Sequence, residues 1–107
     1  MSKPLSNGLL YRHGDVLVAA ASQLPAGAEK QAHLVLAEGE ITGHSHRIAE
    51  RDAAALYQVG RDMYLSVVGP SVTLVHQEHG PITLKMGVYR VWRQREYSPR
   101  EIRVVRD

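Results

Sequence analysis

Apolar residues in this chain come in short runs, broken about every ten positions by Gly, Pro or Asp. No stretch repeats at the helical period over a useful length. Short runs with turn residues between them mark an all-β sandwich or barrel. The pattern predicts strands over 9–12, 15–20, 33–37, 44–48, 54–58, 63–67, 72–76, 82–84, 88–97 and 102–105. Turns are expected at His13-Gly14-Asp15, Leu24-Pro25-Ala26-Gly27, Glu38-Gly39-Glu40, Val59-Gly60-Arg61-Asp62, Gly69-Pro70 and Gly80-Pro81. Each supplies a positive-φ residue or a fixed turn dihedral. The Ala-rich stretch 19–32 reads as a loop. In Val72-Thr73-Leu74-Val75-His76, side chains two apart share a face, so His76 joins Val72 and Leu74 and points inward. Over 88–97, Tyr89 and Val91 lie on one face while Val88 and Trp92 lie on the other. A strand apolar on both faces in so small a domain predicts a second subunit, as a dimer or trimer.

At 107 residues the chain fits one domain, and 44% hydrophobic content supports a small core. With no Phe and one Trp, that core must rest on aliphatic residues and Tyr. The absence of Cys excludes disulfides, thiolate metal sites and a Cys nucleophile. The first eight residues lack the apolar core of a signal peptide, and no apolar run is long enough to span a bilayer. A cytoplasmic protein is therefore expected.

Histidine is the chemical signal. Four of the six lie in two clusters, His44-Ser45-His46 and His76-Gln77-Glu78-His79. On a strand His44 and His46 present both imidazoles to one side. Neutral imidazole is the commonest ligand for Zn, Fe, Ni and Cu. The candidate metal ligands are His44, His46, His76 and His79, with Glu50 or Glu78 as a carboxylate; the ion would be Zn, Fe, Ni or Mn. His79 is three residues after His76, so it reaches the same side only if the chain bends near Gly80-Pro81. His13 reads as a turn residue and His33 as an exposed strand residue. The competing reading for all of them is structural hydrogen bonding.

His44-x-His46-x-x-x-Glu50 resembles the first motif of the cupin superfamily. That resemblance implies a small cupin-like β-barrel or jelly-roll-like sandwich, with a metal inside it and His76 or His79 completing the set. It also implies an oxygenase or isomerase type of activity. The likeness covers about seven residues. Gly39 stands one position too close to the histidines, no glycine follows Glu50 at the expected place, and the Pro-x-Gly turn of the second motif is missing. Most of the chain also resembles small uncharacterised bacterial and phage-associated proteins. The matching pieces are Gly14-Asp15-Val16, 36–46, 74–82, Gly87-Val88-Tyr89-Arg90-Val91 and Gln94-Arg95-Glu96-Tyr97. Lys85-Met86 departs from that likeness where prolines are expected, by drift or by redesign of a surface.

Two readings from other classes stand beside metal binding. One is a non-catalytic self-assembling module whose histidines lie at a contact. The other is nucleic-acid binding through the arginines at 90, 93, 95, 100, 103 and 106. Glu96 and Glu101 lie among these arginines, and no aromatic residues are interleaved for base stacking, which disfavours nucleic acid. Ser45 lacks the elbow and the oriented base of a nucleophilic triad.

Overall fold

A computed structural model describes residues 10–38 and 44–94. The strands are β1 (Leu10–His13), β2 (Val16–Ala21), β3 (Glu29–Lys30), β4 (Val35–Glu38), β5 (Ser45–Ile48), β6 (Ala54–Val59), β7 (Asp62–Val75) and β8 (Ile82–Arg93). Among the described residues no α-helix occurs, and so none is long and apolar enough to cross a membrane. All pairings are antiparallel within one sheet, in the order β1-β2-β8-β7-β5-β4, with β6 on β7 and β3 on β6.

The all-β expectation holds, but the barrel does not. The path ends on β1 and β4, which do not pair with each other, so the described sheet is open. The reason lies in β7. Its first half pairs with β6 through Val67, and its second half pairs with β5 at Leu74 and Val75. One strand shared between two partners makes the sheet fork instead of closing.

The sequence reading expects two strands on either side of Gly69-Pro70, and the structure joins them. Pro70 has no N–H to give to a ladder, but it sits in a bulge. The β7–β8 register shifts between Val67 and Ser71. The amides of Val68 and Gly69 leave the ladder and both donate to the Ala53 carbonyl, at 2.8 and 3.1 Å. A Cβ on Gly69 would lie 2.9 Å from that of Ala53, so glycine is required for this approach. Across the ribbon, Gly87 faces Val67 with φ near 146°. The runs 82–84 and 88–93 are likewise one strand. The two-residue β3 falls inside the stretch read as a loop. Both its side chains are exposed and charged, so it carries no hydrophobic pattern.

The bent ribbon has a geometric consequence. Extended, the twelve residues of β8 would span roughly 36–40 Å. Yet Gln94, just past one end, donates its N–H to the Asp15 carbonyl, while Gly80, just before the other, accepts from His13. The sheet must curl until both ends of β8 meet the β1–β2 hairpin. The curl brings one face of every long strand onto a common core of Val16, Val18, Leu36, Ile48, Leu56, Leu65, Val67, Val72, Leu74, Leu84, Tyr89 and Val91. The alternation read from the sequence, with Val72 and Leu74 on one face and Tyr89 and Val91 on another, describes this core. Tyr89 satisfies its hydroxyl by donating to the Lys85 carbonyl at 2.7 Å. Leu17 is buried on the opposite side of β2, in register with Trp92.

Leu74 is fully buried where β7 meets both β5 and β8. Leu74→Ala should cost about 2–5 kcal/mol through lost burial and a residual cavity. Val68, 62% exposed at the bulge, should tolerate Ala within about 0.5 kcal/mol. Urea unfolding of the two variants, with unchanged m-values, checks the difference.

Candidate histidine site

The site forms where the curled ribbon meets the hairpin. Gly14 and Asp15 make a two-residue turn between His13 and Val16, which pair. Gly14 has φ near 66°, as the first loop position of a primed turn requires. Its missing side chain matters for a second reason. A Cβ there would lie 2.8 Å from His79 Nε2 and 3.0 Å from His46 Cε1. Two imidazoles therefore rest directly on the turn.

Five of the six histidines come together here. His46, on β5, has ring centroids 4.3 Å from His76, 5.0 Å from His13 and 5.7 Å from His79. His76 and His79 are 4.7 Å apart, and His44 stands 5.7 Å from His76. The expectation that His44 and His46 share a side holds, because both rings reach His76. His79 reaches the same side because β7 stops at Val75 and the chain then turns. The Glu78 amide donates to His76 Nδ1 at 2.9 Å and curls this connection. His33 is exposed and remote, accepting from the Val35 amide.

Two expectations change. His13 is not a simple turn residue; it is the last residue of β1, is 2% exposed, and lies at the centre of the cluster. Its position in the alternation of so short a strand gave little warning of this. Glu50 is directed elsewhere. Its two carboxylate oxygens accept from the Thr73 amide and hydroxyl at 2.7 and 2.8 Å, on the face of β7 opposite Val72 and Leu74. Glu78 stands at the rim, 3.5 Å from His44 Nδ1. That contact is too long for a hydrogen bond, and His44 Nδ1 is buried without one.

The hydrogen bonds fix where protons sit. His13 Nε2 lies 2.9 Å from the Gly80 carbonyl, which can only accept, so His13 carries its proton on Nε2. His13 Nδ1 is then an acceptor. His46 Nδ1, 2.9 Å away, must donate to it. The neutral His46 ring therefore has a bare lone pair on Nε2. His76 is the reverse case: its Nδ1 accepts from an amide, so its proton is on Nε2. Among the described residues, no three His, Asp or Glu side chains already converge as ligands around one point. The rings pack on each other, and an ion would have to turn His76 away from the Glu78 amide.

Asp15 is the carboxylate at the cluster, and the sequence reading did not single it out. Its Oδ2 accepts from Arg93 Nη2 at 2.9 Å and Nε at 3.2 Å. Its Oδ1 lies 3.7 Å from His46 Nε2. Burial opposes the charge on Asp15, but the Arg93 hydrogen bonds and charge outweigh it and lower the carboxyl pKa. Arg90 pairs with Asp62 at 3.5 Å and stacks over Trp92. Two arginines of the basic end are thus held within the fold; those at 95, 100, 103 and 106 lie outside the described residues.

A cavity of about 860 Å³ lies elsewhere, between β3–β6 and β4–β5, and includes Lys30, Arg47 and Arg51 at its edge. None of the five clustered histidines lines it. Its size suits a small molecule, but the convergent chemistry is at the hairpin.

The family model of a domain of unknown function, DUF8820, matches residues 12–94, and the chain belongs to that family. The match starts one residue before His13 and ends one residue after Arg93, so it contains the whole histidine site. No curated protein and no solved structure matches the chain.

Burial lowers the pKa of His46 to about 4, helped by repulsion from His76 and His13. His13 and His76 are also lowered, chiefly by burial. These rings bind protons less readily folded than unfolded. Their contribution to stability is therefore complete above the unfolded value of about 6.5 and is lost as pH falls toward 4. For His46 alone the loss is on the order of 3 kcal/mol. Urea midpoints measured at pH 7, 6, 5 and 4.5 should fall steadily. A midpoint that stays level from pH 7 to 5 would show that the rings titrate as if in water.

Proposed function

We propose that this protein binds a divalent metal ion through its histidine cluster, with His46, His76 and His79 as imidazole ligands and His44 at the rim. The observation that supports this most directly is the tautomer chain from the Gly80 carbonyl through His13 to His46. It leaves His46 Nε2 as a bare lone pair in a buried setting. Metal-ligating histidines characteristically donate their other ring N–H to an acceptor, which fixes the ring and raises its basicity. His13 serves that purpose for His46. The low pKa of His46 acts in the same direction, because only neutral imidazole ligates.

The donor set suits Zn, Fe, Ni or Mn, for which nitrogen and oxygen ligands are ordinary. His79 is exposed, so the site faces solvent on one side. An ion held there would act as a Lewis acid, as an isomerase of the cupin type requires, or would activate a bound water or, for a redox-active ion, dioxygen, as an oxygenase requires. The protein's own residues bury His46, which favours its neutral form, orient it through His13 and keep a carboxylate beside it.

Titrating tag-free protein with Zn(II) in a calorimeter tests the reading. Binding should be near one ion per chain and should weaken as pH falls toward the value of about 4 at which His46 takes up a proton. Replacing His46 and His76 together with Ala should reduce affinity at least a hundredfold, and His33→Ala should leave it unchanged. Full binding by the double variant would contradict the assignment.

A further inference from the structure

We infer that Asp15 is a direct ligand of the histidine site, making it a mixed histidine–carboxylate centre and not a purely imidazole one. The inference rests on the metal-binding reading above and adds a residue that neither the motif nor the histidine spacing indicates.

The argument begins with an electrostatic mismatch. His46 Nε2 offers a lone pair, because its proton is on Nδ1 in the bond to His13. Facing it at 3.7 Å is Asp15 Oδ1, an acceptor with no proton of its own. If His46 carried a second proton, an N–H donor would face a carboxylate, and the pair should close to hydrogen-bond distance, about 2.7–2.9 Å. The pair remains open. Two lone pairs that face each other across such a gap form the two sides of a cation site.

The dimensions agree. Metal bonds from nitrogen and carboxylate oxygen are about 2.1 Å long. Two such bonds with ends 3.7 Å apart subtend about 120° at the ion, and the gap is within about 0.3 Å of regular tetrahedral spacing.

Arg93 explains why the carboxylate keeps this pose. Its Nε and Nη2 both donate to the same oxygen, Oδ2, which leaves Oδ1 on the side of His46. Arg93 is thereby a positioning residue. The backbone reinforces it, since Gln94 donates to the Asp15 carbonyl and Arg93 is paired with Val16. Gly14 completes the arrangement. Its bare Cα lets His79 Nε2 and the Cε1 edge of His46 approach to within 2.8 and 3.0 Å of where a side chain would stand. The third donor thus rests on the same turn as Asp15. A carboxylate added to the imidazoles of His46, His76 and His79 makes a mixed nitrogen–oxygen set that suits a borderline divalent ion.

Co(II) is the probe, because its visible bands report the ligand set. Wild-type protein should show a saturable Co(II) spectrum. Asp15→Asn should bind at least tenfold more weakly with altered bands, and Asp15→Glu should recover part of the affinity. An unchanged affinity and spectrum in Asp15→Asn would overturn the assignment and leave the histidine reading standing. Absence of any Co(II) spectrum in wild type would overturn both. A measurement on the unmodified protein guards against a variant that fails to fold. Zn(II) should move the Asp15 carboxyl carbon resonance and leave that of Glu50 in place; a stationary Asp15 resonance contradicts the proposal.

Discussion

The hydrogen bond from His13 to the Gly80 carbonyl ties together parts of the chain that the sheet alone would hold far apart. Gly80 belongs to the tip of the β7–β8 ribbon, and His13 ends β1 at the opposite end of β8. Their contact at 2.9 Å is possible only because the ribbon bends at the Gly69-Pro70 bulge and at Gly87. It also determines chemistry. By fixing the proton of His13 it fixes that of His46, and so decides which nitrogen faces Asp15. Local backbone geometry, fold closure and ligand tautomer meet in one bond.

A buried histidine pair, His13 and His46, with further imidazoles packed around it, is not an efficient way to stabilise a small sheet. Burial of polar rings costs free energy unless each finds partners. Here His44 Nδ1 lacks a hydrogen bond and His46 Nε2 faces an acceptor. An aliphatic cluster of the same volume would avoid both penalties. Departures from local consistency of this kind are concentrated at functional sites. The apolar core shows no such compromise: its side chains come from β2 and β4 through β8, and Tyr89 has its partner.

Much of this was legible in the sequence because periodicity reports faces directly. Val72, Leu74, Tyr89 and Val91 are buried where alternation places them, and His76 follows them toward the other histidines. The bulge was not legible, because Gly69-Pro70 signals a turn equally well when the strand continues past it. The open sheet was not legible either, since two strands pairing with one leaves no local mark. His13 and Asp15 flank a Gly in what reads as an ordinary hairpin turn. Only the long-range closure, which brings residue 80 to residue 13 and residue 93 to residue 15, gives them chemical roles. Glu50 shows the converse: a motif spacing suggested a ligand, and an adjacent Thr73 with two donors occupies it.

The central claim is that His13 and His46 are neutral and that a defined tautomer chain leaves the lone pair of His46 bare. Long-range proton–nitrogen correlation NMR of ¹⁵N-labelled protein at pH 7 tests this most directly. The account predicts a pyrrole-like Nδ1 and a pyridine-like Nε2 for His46, with the opposite assignment for His13. A protonated His46, or a proton found on its Nε2, would contradict it.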